Sequence, residues 1–208
     1  MKDWQVSEMR AALVALAVVA CCSSTLRAQG SDAFTTSGQV AFEGTTMSYT
    51  VRHLPVSSFP MLPAAVAAEL NRRGCLIPQT YEAHGPENVI HGSFKRAGEK
   101  DWAALCSVHG TVSLLVFFDG TEASPEVLLS AAETARLGPT PASGLLGMLA
   151  FDWGIDVATP ETVHEAQSQM RRRPARLDHD AIADANVDGP TIYRFYTGNA
   201  WKMIETSD

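Results

Sequence analysis

Asp178-His179-Asp180 is the place in this chain where a histidine stands between two carboxylates, so it is the first candidate for acid-base chemistry. Imidazole exchanges protons near neutrality, and a flanking carboxylate can orient the ring. A hydrolase built on His179 would also need a nucleophile, and no GxSxG or reactive-cysteine context accompanies it. The second candidate is Asp184-Ala185-Asn186-Val187-Asp188-Gly189, which follows D-x-N-x-D-G. Alternate oxygens at Asp184, Asn186 and Asp188 around a glycine-permitted turn are the first half of a calcium loop. The second half is missing, because the position of the bidentate glutamate is Phe195 and the ninth position is Ile192. A plain turn uses the same residue types, since Asn, Asp and Gly bond locally and tolerate left-handed backbone.

The remaining histidines carry less. His164-Glu165 resembles the start of a zinc-protease helix, but the second histidine of HExxH would fall at Ser168. His91 and His109 have no Cys, Asp or Glu at ligand spacing and read as ordinary strand and turn residues. Arg171, Arg172 and Arg173 read as a solvated helix end that complements the dipole, or as an anion or phospholipid-headgroup contact.

The sulfurs draw their meaning from the compartment. Residues 1–28 read as an export signal: Lys2 and Arg10 flank a polar start, Ala11–Ala20 is an apolar core, and a small, polar exit follows. That core is shorter than the roughly 20 residues of a membrane-spanning helix. Two processing sites compete. Val18-Val19-Ala20-Cys21 resembles the bacterial lipoprotein signal, which would attach a lipid to Cys21 and tether the protein to a membrane surface. Leu26-Arg27-Ala28 before Gln29 is the alternative, and it would leave the chain free. Either product lies outside the cytoplasm, where the remaining pair, Cys75 and Cys106, is expected to form a disulfide. Closing about 30 residues would contribute on the order of 3–4 kcal/mol.

The elements that must position these groups follow from pattern. After a linker over 29–38, one domain is expected over 39–208, an α+β fold with about three helices on a central antiparallel sheet. A hairpin is expected over Gln39–Phe42 and Thr46–His53, from period-two alternation around Glu43-Gly44-Thr45. Pro63–Arg73 reads as a helix, with Pro63 in its first turn, Arg72 and Arg73 at its negative end and Gly74 as its stop. Asn88–Phe94, Trp102–Val108 and Val112–Phe118 form a three-strand meander. In its second strand Trp102, Ala104 and Cys106 share one face, and Ala103, Leu105 and Ser107 the other. The third strand is apolar enough to be covered on both sides. Helices are expected over Ser124–Arg136, from Thr159-Pro160-Glu161 to about Arg172, and over Asp178–Ala185. A strand is expected over Met148–Trp153. A closing hairpin is expected over Thr191–Tyr196 and Ala200–Glu205.

Gly92-Ser93-Phe94, Gly98, Asp101 and Ala103 resemble the FG-GAP (VCBS-type) repeat, G-x-F-x-x-x-G-x-x-D-x-A, over about a dozen residues. In that family acidic side chains hold calcium at the positions occupied here by Ser93, Lys95, Ala97 and Asp101. Only Asp101 is a carboxylate, and calcium takes six to eight oxygen ligands. The resemblance therefore implies a strand–turn–strand shape without the metal, and one copy does not make a propeller.

Composition bounds the function. With 46% hydrophobic and 19% charged residues the chain is an ordinary globular one, and its net charge of −7 is dispersed, with no electrostatic footprint for nucleic acid. The leading expectation is a non-catalytic binding or structural module of the bacterial envelope, acting on an envelope or extracellular ligand, with no transmembrane helix in the mature chain. A hydrolase around His179 is the second. A calcium-dependent adhesion module using Asp184, Asn186 and Asp188 is the third.

Overall fold

The computed structural model describes residues 34–120, 124–140, 148–168 and 175–206. The leader expected over 1–28, Cys21, and the arginines at 171–173 lie outside these residues. The linker expected over 29–38 overlaps the first strand, β1 (Thr35–Phe42), which pairs antiparallel with β2 (Thr45–Pro55). The turn between them uses left-handed backbone at Glu43 and Gly44.

Next comes α1 (Ala64–Arg73), with Pro63 preceding its first turn and Gly74 stopping it at φ 75°. Val66 and Leu70 on its inner stripe are fully buried, each a burial of about 1.5–3 kcal/mol. Glu69, also buried, accepts hydrogen bonds from Arg72 and Arg73 at 2.7 Å, which pull its carboxyl down to about 2. Strands β3 (Leu76–Gln79) and β4 (Val89–Gly92) lead to the meander of β5 (Asp101–Val108), β6 (Thr111–Phe117) and β7 (Glu126–Ala132). Then follow β8 (Leu137–Pro139), β9 (Met148–Phe151), β10 (Trp153–Ala158), α2 (Pro160–Gln167), β11 (Ala181–Asn186), β12 (Thr191–Thr197) and β13 (Ala200–Thr206).

These strands make two sheets. The larger has nine strands and runs β7-β6-β5-β3-β2-β9-β8, with β1 also on β2 and β4 also on β5. The smaller is the antiparallel run β10-β11-β12-β13. The expectation of an α+β fold with about three helices on one central sheet is therefore corrected. The fold is β-rich, with two sheets and, among the described residues, two α-helices.

Two of the expected helices are strands. Ser124–Arg136 carries β7 and then a 3-10 turn at Glu133–Arg136. Its Ser-Pro-Glu start resembles a helix cap, but the open edge of buried β6 needs backbone partners, and residues 126–132 supply them. Asp178–Ala185 carries β11, flanked by β10 and β12. Alanine's helix preference is worth only tenths of a kcal/mol per residue, and two ladders outweigh it. The expected strand over Met148–Trp153 is divided between β9 and β10, which belong to different sheets.

The face assignment of β5 explains the layering. Trp102, Ala104 and Cys106 join Val66, Leu70, Ile77 and Phe117 in the core under α1. Ala103 and Leu105 join Val51, Phe94, Leu114, Phe151, Ile155 and Ile182 in the core between the sheets. A third core, with Val163 of α2, Ala181 of β11, Phe195 of β12 and Ile204 of β13, covers the far side of the smaller sheet. Cys75, at the end of α1, is disulfide-bonded to Cys106 of β5 with a Cα separation of 5.0 Å, so the helix end is stapled to the middle of the larger sheet. Among the described residues no helix is long and apolar enough to cross a membrane.

Candidate functional site

Three loops from both sheets converge around His179. The first, between β4 and β5, is shaped by Asp101, which is fully buried. Its Oδ2 accepts the Phe94 and Lys95 amides at 2.8 and 3.0 Å, and its Oδ1 accepts the Asp119 amide at 2.8 Å. Ser93 Oγ closes the loop by donating to the Glu99 carbonyl at 2.9 Å. Three backbone amides satisfy a buried carboxylate well, so Asp101 organises the turn that presents Lys95 and Arg96. β4 and β5 pair antiparallel on either side of it, a strand–turn–strand.

The second loop precedes β11. Asp180 Oδ2 accepts the Ser93 amide, and the Asp180 amide donates to the Ser93 carbonyl, both at 2.9 Å, which ties this loop to the first. Gly92 is needed at this junction, because a Cβ there would crowd Phe94 and approach Asp180 Oδ2 to 3.1 Å. The third loop is the β12–β13 turn, where Gly198 and Asn199 are both left-handed, at φ 59° and 63°.

Together the loops line a cleft of about 220 Å³ with Lys95, Arg96, Ala175, Arg176, Leu177, Asp178, His179 and residues 196–199. Lys95 Nζ sits 4.3 Å above the Phe118 ring and 5.9 Å from that of Tyr196. Phe118, Tyr196 and Trp201 pack against one another with centroids 5.6–6.3 Å apart. The Trp201 indole N–H donates to Glu126 Oε2 at 2.7 Å. Arg96 lies 3.7 Å from Glu99, and Arg176 is paired with Glu161. His179 Nδ1 donates to the Asp180 carbonyl at 2.9 Å, which leaves Nε2 as the ring's acceptor. Among the described residues no hydroxyl or thiol is hydrogen-bonded to the ring.

The calcium candidates Asp184, Asn186 and Asp188 are not brought together as a ligand set. Asp184, with no solvent exposure, takes bidentate hydrogen bonds from Arg136 at 2.8 and 3.0 Å and further bonds from Arg194 at 3.2 and 3.0 Å. Asn186 hydrogen-bonds Asp152. Asp188 accepts from the Tyr81 hydroxyl at 3.1 Å. Burial first, and then that bond to Asp188, pushes the Tyr81 hydroxyl up to about 12. Among the described residues no group of three or more His, Cys, Asp or Glu side chains could hold a metal ion.

Two arrangements were not visible in the pattern. Arg136 and Arg194 meet on Asp184 only because β11 and β12 pair and the turn after β7 packs over them, with Arg136 also 5.0 Å from the Trp153 ring. His53, Glu133 and Ser107 form the other. His53 Nε2 donates to Glu133 Oε2 at 2.8 Å, and Ser107 Oγ donates to the same oxygen. The three residue types are those of a hydrolase triad, but here the acid stands between the other two, whereas a base must touch its nucleophile. All three are buried and none lines the His179 cleft. Alternation along β5 places Ser107 inward, the one signal in the sequence that pointed to this network.

Comparison with protein-family models, curated proteins and solved structures found no match to this chain.

Proposed function

We propose that this protein is an exported, non-catalytic binding module of the bacterial envelope whose ligand face is the His179 cleft. The observation that carries the reading is the convergence of Lys95, Arg96 and Arg176 with Tyr196 around one small cleft, on a chain whose net charge is −7. Cations gathered by two loops that hydrogen bonds of Asp101 and Asp180 fix to one another form a pre-organised recognition surface. The disulfide between Cys75 and Cys106 supports an oxidising compartment. A hydrolase is the weaker reading, because the Nδ1 of His179 is engaged by the neighbouring carbonyl and not by an orienting carboxylate.

A thermal-shift screen of small envelope-type ligands, run on the wild type and on R176Q, tests the binding reading. Ligands that raise the melting temperature of the wild type and not of the variant support it. Turnover of an ester, phosphate or glycoside substrate that disappears in H179A overturns it.

A further inference from the structure

Resting on that reading of the cleft, we propose that its ligand carries a phosphate ester. Lys95, Arg96 and Arg176 line the cleft with one acidic residue, Asp178, and Glu99 and Glu161 pair with the two arginines, so among the described residues Lys95 is the cation of the cleft without a carboxylate partner. A phosphate monoester presents three strong acceptor oxygens and about −1.5 to −2 charge at neutral pH, an oxygen for each of the three cations, whereas a carboxylate has two oxygens and one charge, so the monoester is the better complement.

The donors are available. Arg96 and Arg176 have side chains 75% and 57% exposed, and among the described residues each has a single carboxylate partner, which leaves N–H groups of the guanidinium fork open. That fork matches the geometry of phosphate oxygens. Among the described residues Lys95 has no carboxylate partner. Its ammonium is held over the Phe118 and Tyr196 rings, which fix its position without taking up its three donors.

The size of the cleft limits the rest of the ligand. About 220 Å³ lies below the roughly 300–1,000 Å³ of a pocket that encloses a drug-sized molecule. A phosphate and a few further heavy atoms fill it. Such a group is presented equally by a soluble phosphate ester or by the headgroup of a lipid.

Isothermal titration of the secreted protein with glycerol 3-phosphate, with glycerate and glycerol as controls, tests the chemistry. Sedimentation with phosphatidylcholine vesicles, with and without phosphatidic acid, distinguishes the lipid source. The expected result is saturable binding to glycerol 3-phosphate or to the phosphatidic acid vesicles. K95Q and R176Q should weaken it at least tenfold, and R72A, on α1, should leave it unchanged. Added salt should weaken it as well. Binding of neither phosphate probe overturns the proposal, as does binding that both cleft variants retain or glycerate binding of equal strength. A cleft-dependent neutral ligand overturns the phosphate assignment and leaves the binding reading standing, whereas turnover lost in H179A overturns the binding reading itself.

Discussion

Arg136 and Asp184 meet as a bidentate pair, Nη1 to Oδ1 at 2.8 Å and Nη2 to Oδ2 at 3.0 Å, where Asp184 is wholly screened from water. The pair joins the turn after β7 in the larger sheet to β11 in the smaller one. Arg194 of β12 adds a second guanidinium to the same carboxylate, 3.0 Å from Oδ2. Two cations converging on one buried carboxylate are stable only while its charge is present.

D184N should therefore leave two guanidiniums facing a neutral amide in a low-dielectric setting. Removing one partner of a buried ion pair costs about 3–5 kcal/mol, so urea unfolding of D184N should show a loss of that order. A loss below about 1 kcal/mol would mean that the pair is hydrated in solution.

The Cys75–Cys106 bridge should be measurable in two ways. Mass spectrometry of the protein with and without reductant should register the two hydrogens gained when this bridge is reduced. The same spectra should show whether residues 1–28 are removed and whether Cys21 carries an acyl group. The C75A/C106A variant should lose about 2–4 kcal/mol, and reductant should then no longer shift its melting temperature. Melting of the wild type that is insensitive to reductant under denaturing conditions would contradict the staple.

Two buried carboxylates give opposite pH slopes. Burial alone would push Glu133 up, but the hydrogen bonds from His53 and Ser107 outweigh it and hold its carboxyl below the usual value of 4.5. A lowered carboxylate contributes stability that is present above 4.5 and lost as pH falls through its folded value. E133Q should thus be less stable than the wild type at neutral pH, and the gap should close on acidification.

Asp152 is the converse. Burial, with the nearby charges of Asp188 and Glu82, raises its carboxyl above 3.8 and outweighs the bonds from Asn186 and Val187. Its contribution is complete below 3.8 and is lost as pH rises through the raised folded value, so D152N should gain on the wild type as pH rises through that window. Parallel acid titrations of the two variants check both signs, and slopes of the same sign would refute the assignment.

Gly138 touches that same carboxylate. A Cβ at Gly138 would fall within bonding range of Asp152 Oδ2, in strand β8 where it pairs with Ala150 of β9. G138A should destabilise the protein by about 1–3 kcal/mol through overpacking, and D152A should relieve most of that cost when the two are combined. Strict additivity in the double-mutant cycle would show that the clash is not the cause.

Local signals made much of the frame legible. The prolines, glycines and arginines around α1 mark its ends, because caps act within one turn of the backbone. Alternation set the two faces of β5, and with them which sulfur looks toward α1 and which residues look toward the second sheet. The Cys75–Cys106 pairing followed from residue count and the expected compartment. Only the tertiary structure decided that residues 126–132 and 181–186 are strands, because what recruits them is the open backbone edges of β6, β10 and β12 in the assembled sheets and not a pattern in their own residues. Only it decided the fate of Asp184, which a calcium-like spacing offers to a metal and which two arginines, 48 residues upstream and 10 downstream, bind instead. The cleft was hidden for the same reason: Lys95, Arg176 and Tyr196 carry no mutual pattern along the chain, and pairing between loops of two sheets is what sets them side by side.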